Sequence, residues 1–148
     1  MLGLIQRVTS AHVQVDQQTV GAIDRGLLLL LAIQPMDTSD TVGRLLHKVA
    51  NYRIFADPSD KSSGHMKCSV LDVHGSLLIV SQFTLAADTQ KGLRPSFSSA
   101  APPELAKQLY EEFLVAAGEI LPVQQGKFGA DMQVTLTNDG PVTFLLTA

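Results

Sequence analysis

The sequence predicts a single α+β (α/β) domain over residues 1–148, and three observations carry that prediction. The chain has 148 residues, one domain's worth, and its 45% hydrophobic content is enough to build a core. Alternating or continuously apolar runs of β type fill both ends of the sequence. Only two segments carry helical periodicity, so about eight strands and two helices are expected.

Residues 2–9 (LGLIQRVT) are rich in Ile, Val and Thr, and Val13 and Val15 alternate with His12 and Gln14. These patterns predict strands over 2–9 and 11–15. A short third strand spans 20–23, and Asp24-Arg25-Gly26 turns the chain into a fourth over 27–33. The apolar run Leu27 to Ile33 is far short of the about 20 residues that a membrane span requires, and predicts a buried strand. Val42, Leu45, Leu46 and Val49 fall at i, i+3, i+4 and i+7 behind the capping candidates Asp37, Thr38 and Ser39, which predicts a helix over 38–50. Residues 52–56 read as strand and 57–64 as an exposed loop. Leu77-Leu78-Ile79-Val80 is the buried centre of a strand over 76–85. Pro102 and Pro103 open a second helix, striped by Leu105, Leu109 and Phe113, with Gly118 as its stop. Met132, Val134 and Leu136 alternate with Gln133, Thr135 and Thr137 in a half-buried strand, and a last strand covers 142–147.

Composition narrows the function. Eleven Lys plus Arg against fourteen Asp plus Glu give −3, which removes the simplest argument for a nucleic-acid binder but leaves room for a local basic patch. The lone Cys68 closes no internal disulfide and builds no thiolate zinc site, so a reducing, cytoplasmic setting is expected. The N-terminus lacks the basic stretch, apolar run and cleavage site of a secretory signal. No HExxH motif, Gly-rich phosphate loop or close histidine pair occurs, and His12, His47, His65 and His74 are scattered.

Two segments break local rules, which is where sites are expected. Ser81-Gln82-Phe83-Thr84 follows the hydrophobic run directly and brings hydroxyl, amide and backbone N–H groups to a sheet end; the plainer alternative is that Ser81 and Thr84 satisfy backbone groups there. Asn138-Asp139-Gly140-Pro141 reads either as a hairpin stop or as a fixed backbone device presenting carbonyls, because Pro141 spoils a direct hand-over to a strand. Lys91 and Arg94, with the hydroxyls of Ser96, Ser98 and Ser99, form either a weak phosphate-contacting loop or a solvated face.

Together these segments resemble the D-aminoacyl-tRNA deacylase family, formerly D-tyrosyl-tRNA deacylase. The likeness carries Ser81-Gln82-Phe83-Thr84-Leu85 and Asn138-Asp139-Gly140-Pro141-Val142-Thr143. It extends to Leu4-Ile5-Gln6-Arg7-Val8, Tyr52-Arg53-Ile54-Phe55, Leu93-Arg94-Pro95-Ser96-Phe97 and Ala130-Asp131-Met132-Gln133-Val134. The resemblance implies a three-layer α/β/β domain with a mixed, largely antiparallel sheet system, forming a cytoplasmic homodimer. It implies hydrolysis of the ester joining a D-amino acid, or misattached glycine, to the terminal adenosine of tRNA, with no metal or organic cofactor. Gly140-Pro141 would have a cis peptide and reach into the partner's pocket; Arg7 either holds the turn by hydrogen bonds to its carbonyls or is an ordinary strand-surface residue, and Met132, by pattern alone an inward strand residue, would line the pocket. The loop over 61–68 departs from the family pattern, with Lys67 where Asn is common.

Ester hydrolysis needs an activated nucleophile and a stabilised oxyanion. Thr84 is the obvious hydroxyl, yet neither motif carries a His or Lys beside it. The resemblance favours assistance from the 2′-hydroxyl of the substrate's own ribose, with the Phe83 and Thr84 N–H groups as oxyanion donors. A generic esterase using Thr84 or Ser81, and a non-catalytic tRNA-binding dimer, are the alternatives.

Overall fold

A computed structural model describes residues 1–57, 59 and 65–148. Its first strand, β1 (Leu2–Val15), is one continuous element where the sequence suggested two. It is long because it serves two partners on one side. Its first half pairs antiparallel with β3 (Gly26–Ala32) and its second half with β2 (Gln18–Ile23). Helix α1 (Ser39–Asn51) follows, with Thr41 Oγ1 accepting the Thr38 N–H at 2.7 Å in its first turn. His47 lies on its exposed flank as expected.

The strand expected over 52–56 is confined to β4 (Phe55–Ala56), which pairs with β5 (Met66–Cys68). The 57–64 loop and the 61–68 departure lie largely outside the described residues. Strand β6 (Ser76–Ser81) runs parallel to β3 and ends earlier than predicted, because residues Phe83–Ala86 turn into a 3-10 helix. Helix α2 (Pro103–Gly118) begins at the expected proline pair, and the short β7 (Val123–Gln125) then pairs parallel with β6.

The last strand, β8 (Gln133–Thr147), corrects the hairpin reading of Asn138–Pro141. Residues on both sides of that segment pair antiparallel with the same strand, β1, in one continuous direction. Between Gln6↔Thr143 and Val8↔Asn138 only Arg7 intervenes on β1, against residues 139–142 on β8. The segment is therefore a large bulge, four residues against one, pushed out of an otherwise regular ladder.

The main sheet runs β2-β1-β3-β6-β7, with β8 on the other side of β1. It nearly closes on itself, since Gly21 of β2 lies on the Gln125 carbonyl of β7. Two hydrophobic clusters give the three layers. Leu27, Leu29, Leu31, Leu77 and Ile79 face α1 and α2 together with Leu45, Val49, Leu109, Tyr110 and Phe113. Leu28, Leu78 and Val80 face the curled-over ends of β1, β2 and β8 through Val13, Ile23, Val134 and Leu136. Covering both faces of β3 and β6 is why their sequences are unbroken apolar runs without polar alternation. No described helix is long and apolar enough to cross a membrane.

Tyr110 anchors α2 to the sheet. It is buried, and its hydroxyl donates to the Ile79 carbonyl at 3.0 Å. Burial pushes the pKa of that hydroxyl from 10.0 up to about 12. Because the folded value lies above the unfolded one, its contribution to stability is whole below pH 10 and is lost as pH rises toward 12. Tyr110→Phe is expected to cost about 1 kcal/mol in urea unfolding at neutral pH, from the lost hydrogen bond alone, since the Ile79 carbonyl still accepts the Gly126 N–H at 2.9 Å. It should also flatten the fall in stability across that alkaline window. An unchanged slope there would assign the fall to other groups.

Candidate active site

A cavity of about 480 Å³ opens where the parallel strands β3 and β6 end. Carboxyl ends of parallel strands gather loops and free backbone groups, and ligands settle there. Leu31, Ile33 and Val80 form the floor, Met132 and Val134 of the β8 region one wall, and Ala101, Pro103 and Ala106 at the start of α2 another. Ser81, Gln82 and Phe83 form the rim nearest the sheet.

The chain reaches that rim in a defined way. The Gln82 N–H donates to the Leu31 carbonyl at 2.8 Å, extending the β3 ladder by one bond. The 3-10 helix then starts, and its first N–H groups, those of Phe83 and Thr84, have no acceptor within the helix. Two adjacent N–H groups at a helix start form an anion-binding corner. Ser81 is half-buried, and its hydroxyl has no partner among the described residues, so it is not spent on the strand terminus. Thr84 is exposed, and its hydroxyl accepts from Gln82 Nε2 at 2.5 Å. It stands outside the cavity lining, which brings together only Ser81, Gln82 and Phe83 of the four motif residues.

The bulge at Gly140–Pro141 is placed elsewhere. The Gly140-Pro141 peptide is cis, Gly140 has φ of +141°, and both residues are exposed. Asn138 closes the bulge from below: its Oδ1 accepts the Val142 N–H at 2.7 Å, and its Nδ2 donates to Thr143 Oγ1 at 2.9 Å. Arg7 braces it from the side. Its Nε donates to the Asp139 carbonyl at 2.9 Å and lies 3.2 Å from Asp139 Oδ2, while Nη1 donates to the Ile54 carbonyl at 2.5 Å. The carbonyl that Arg7 holds is thus that of Asp139, one residue ahead of the expected pair.

Neither Gly140, Pro141 nor Arg7 lines the cavity of its own chain. Arg7 faces Leu27 across the ladder, whereas the cavity begins at Leu31, four residues further along β3. At ~3.3 Å per residue that is about 13 Å. Within one chain the two motifs therefore stand apart. Lys91 and Arg94 are exposed on the loop that follows the 3-10 helix.

Phe128, Gly129, Ala130 and Asp131 also line the cavity; Ala130 and Asp131 belong to a stretch that carries the resemblance but were given no role in the site, and sequence reasoning passed over Phe128 and Gly129. The positive φ of Gly129 and the bond from the Ala130 N–H to the Lys127 carbonyl at 3.1 Å shape the segment 126–131 as a turn. For Phe128 and Gly129 the signal was the glycine pair Gly126 and Gly129 just ahead of that stretch. Asp131 is the sole ionisable side chain in the described wall. Among the described residues, no group of three or more His, Cys, Asp or Glu is placed to hold a metal ion.

The chain is similar to known proteins over nearly its whole length. A D-aminoacyl-tRNA deacylase of Haemophilus influenzae (strain PittGG) is 58% identical over 146 residues, 99% of each chain. One from Hahella chejuensis (strain KCTC 2396) is 56% identical over 147 residues, 99% of this chain and 98% of that one. A solved structure of a c-Myc DNA unwinding element binding protein superposes with a TM-score of 0.94 at 40% identity, covering 100% of this chain and 99% of the other. A probable eukaryotic D-amino acid tRNA deacylase shares the fold, with a TM-score of 0.84 at 18% identity over 99% of this chain and 98% of that one. The D-Tyr-tRNA(Tyr) deacylase family pattern matches residues 4–147, and with identities of this size the chain belongs to that family of hydrolases, which act on the aminoacyl-tRNA ester bond.

Proposed function

We propose that the protein is a chiral editor: it cleaves D-amino acids, and glycine misattached to tRNA, from the 3′ end, and spares L-aminoacyl-tRNA. The observation that carries this reading is the separation of the two motifs. A cavity rimmed by free N–H groups lacks a lid, and a braced, exposed Gly-Pro bulge lies outside it on the same chain. Two copies related by a two-fold axis complete each other, the bulge of one entering the cavity of its partner. Isologous pairing of this kind yields two equivalent sites.

The chemistry follows from what the cavity offers. Water adds to the ester carbonyl, and the negative charge that develops on its oxygen is met by the Phe83 and Thr84 N–H groups. The carbonyl carbon–3′-oxygen bond then breaks, and the proton released by water reaches the departing 3′ oxygen. The described wall contains no His or Lys to carry that proton, and the neighbouring 2′-hydroxyl of the substrate is well placed to do so. Chirality is read at Cα. A Gly-Pro wall against Cα leaves room for hydrogen only; a D side chain points outward, whereas an L side chain collides with the wall. Glycine presents nothing to reject.

One assay tests the whole reading. Release of amino acid is followed from D-Tyr-tRNA, L-Tyr-tRNA and D-Tyr-tRNA ending in 2′-deoxyadenosine. The first is expected to turn over and the second to persist, while the third slows by about 100-fold or more, the scale of a lost proton-transfer group. Equal rates on the first and third would remove the 2′-hydroxyl from the mechanism. In the same assay Thr84→Ala is expected to keep activity within about tenfold, since its hydroxyl is exposed and tied only to Gln82. Complete loss with an intact fold, or a covalent adduct at Thr84 or Ser81, would favour the esterase reading instead. The free Ser81 hydroxyl is the observation that keeps that second reading alive.

A further inference from the structure

Beside the cavity mouth lies a feature that hydrolysis itself does not use. Phe83 and Phe97 are 57% and 41% exposed, and their rings meet at 5.0 Å between centroids, tilted by 57°. Phe83 belongs to the cavity rim, so the pair continues the rim outward. Phe97 is delivered by the loop 88–99, whose base is closed by paired backbone bonds between Asp88 and Ser96 at 2.8 and 3.0 Å. Ser99 Oγ donates to the Ala86 carbonyl and fastens the loop's far end to the 3-10 helix. The aromatic pair is thus held on a built support, yet it leaves ring surface in water. Lys91 and Arg94 project from the same loop, are exposed, and form no ion pair among the described residues. The nearest acid on the loop, Asp88, is exposed too, but its Oδ1 accepts the Gln90 N–H at 2.9 Å.

Aromatic faces beside unpaired cations are the combination that binds single-stranded nucleic acid, with bases on the rings and phosphates on the charges. We infer that the Phe83–Phe97 pair is a stacking platform for an unpaired base of the single-stranded 3′ end of the RNA, with Lys91 and Arg94 taking phosphates beside it. Phe97, Lys91 and Arg94 lie outside the cavity lining, so this surface selects the RNA rather than the amino acid. The identity of that RNA as tRNA rests on the reading given under Proposed function; the platform itself does not.

Binding is measured by fluorescence anisotropy, with the whole protein and a short single-stranded RNA ending in CCA that carries no amino acid, so no hydrolysis is involved. Phe97→Ala and Phe97→Leu are each expected to weaken binding by about tenfold, the scale of one lost base stack, and Phe97→Tyr to hold it. Leucine fills the space without a π-face and so separates stacking from simple packing. Lys91→Ala with Arg94→Ala should weaken binding and reduce the salt slope by about 1.4, the value for two phosphates on a single strand. Three results would each overturn the platform: no saturable binding by the parent protein, full rescue by leucine, or a change in oligomeric state that tracks the loss. Ester release is followed in parallel. A parent protein that binds the RNA but leaves D-Tyr-tRNA intact would refute the deacylase reading and leave the platform standing.

Discussion

Replacing Gly140 with alanine is expected to lower turnover of D-aminoacyl-tRNA by about 100-fold or more, the scale of a catalytic part displaced by an ångström. A Cβ built at that position meets Val142 Cγ2 at 2.6 Å, Arg7 Nη2 at 3.0 Å and the Val142 nitrogen at 3.2 Å. The backbone there has φ of +141°, a conformation open to glycine and costly for an L-residue by about 1–3 kcal/mol. Val142 is buried and Arg7 is fixed by three polar contacts, so neither side chain can retreat freely. The bulge itself must shift, and with it the wall that is proposed to read Cα. Turnover of both D- and L-Tyr-tRNA, together with the circular dichroism spectrum, checks this. A folded variant with parental rate and parental discrimination would free the bulge from any part in the chemistry.

The largest loss of stability is expected from Gly26→Ala, at about 3–5 kcal/mol in urea unfolding. That is a large share of the roughly 5–15 kcal/mol that holds a domain together. Gly26 opens β3 and pairs with Val8 on one side and Ser76 on the other. A Cβ there would run into the Ser76 carbonyl oxygen and stand 2.8 Å from both its carbonyl carbon and its nitrogen. These are backbone atoms of the adjacent strand, so relief requires β3 and β6 to part at their first residue. The cavity lies at the other end of the same pair, so surviving folded protein should retain a substantial part of its activity. A variant as stable as its parent would mean that the strands can spread there without loss.

How far the sequence alone reached depends on whether a feature is local. The periodicity of Val42, Leu45, Leu46 and Val49 located α1, and the proline pair located the start of α2, because helices are closed by bonds within the segment. The run at Leu27–Ile33 was legible as buried because both its faces are covered. Residues 138–141 misled in one respect: Asn, Asp and Gly side by side carry a strong local turn signal, but pairing with β1 on both flanks overrides it. Strand β7 has three residues and exists through β6, so nothing in Val123–Gln125 announces it. The motif Ser81–Phe83 was recognisable at the site, whereas in the opposing wall Ala130 and Asp131 carried the resemblance without a role and Phe128 and Gly129 carried no signal of function. Phe128 and Gly129 are ordinary residues, and only the closure of the sheet brings them there.

The distance between the bulge and the cavity has a physiological consequence if each copy completes the other. No solitary polypeptide would then be a competent editor, however well folded. Specific activity would decline as the protein is diluted through its association equilibrium, while secondary structure stayed constant. Proofreading capacity would track the abundance of assembled pairs, so a cell that halved synthesis would lose more than half of its protection wherever pairing was incomplete.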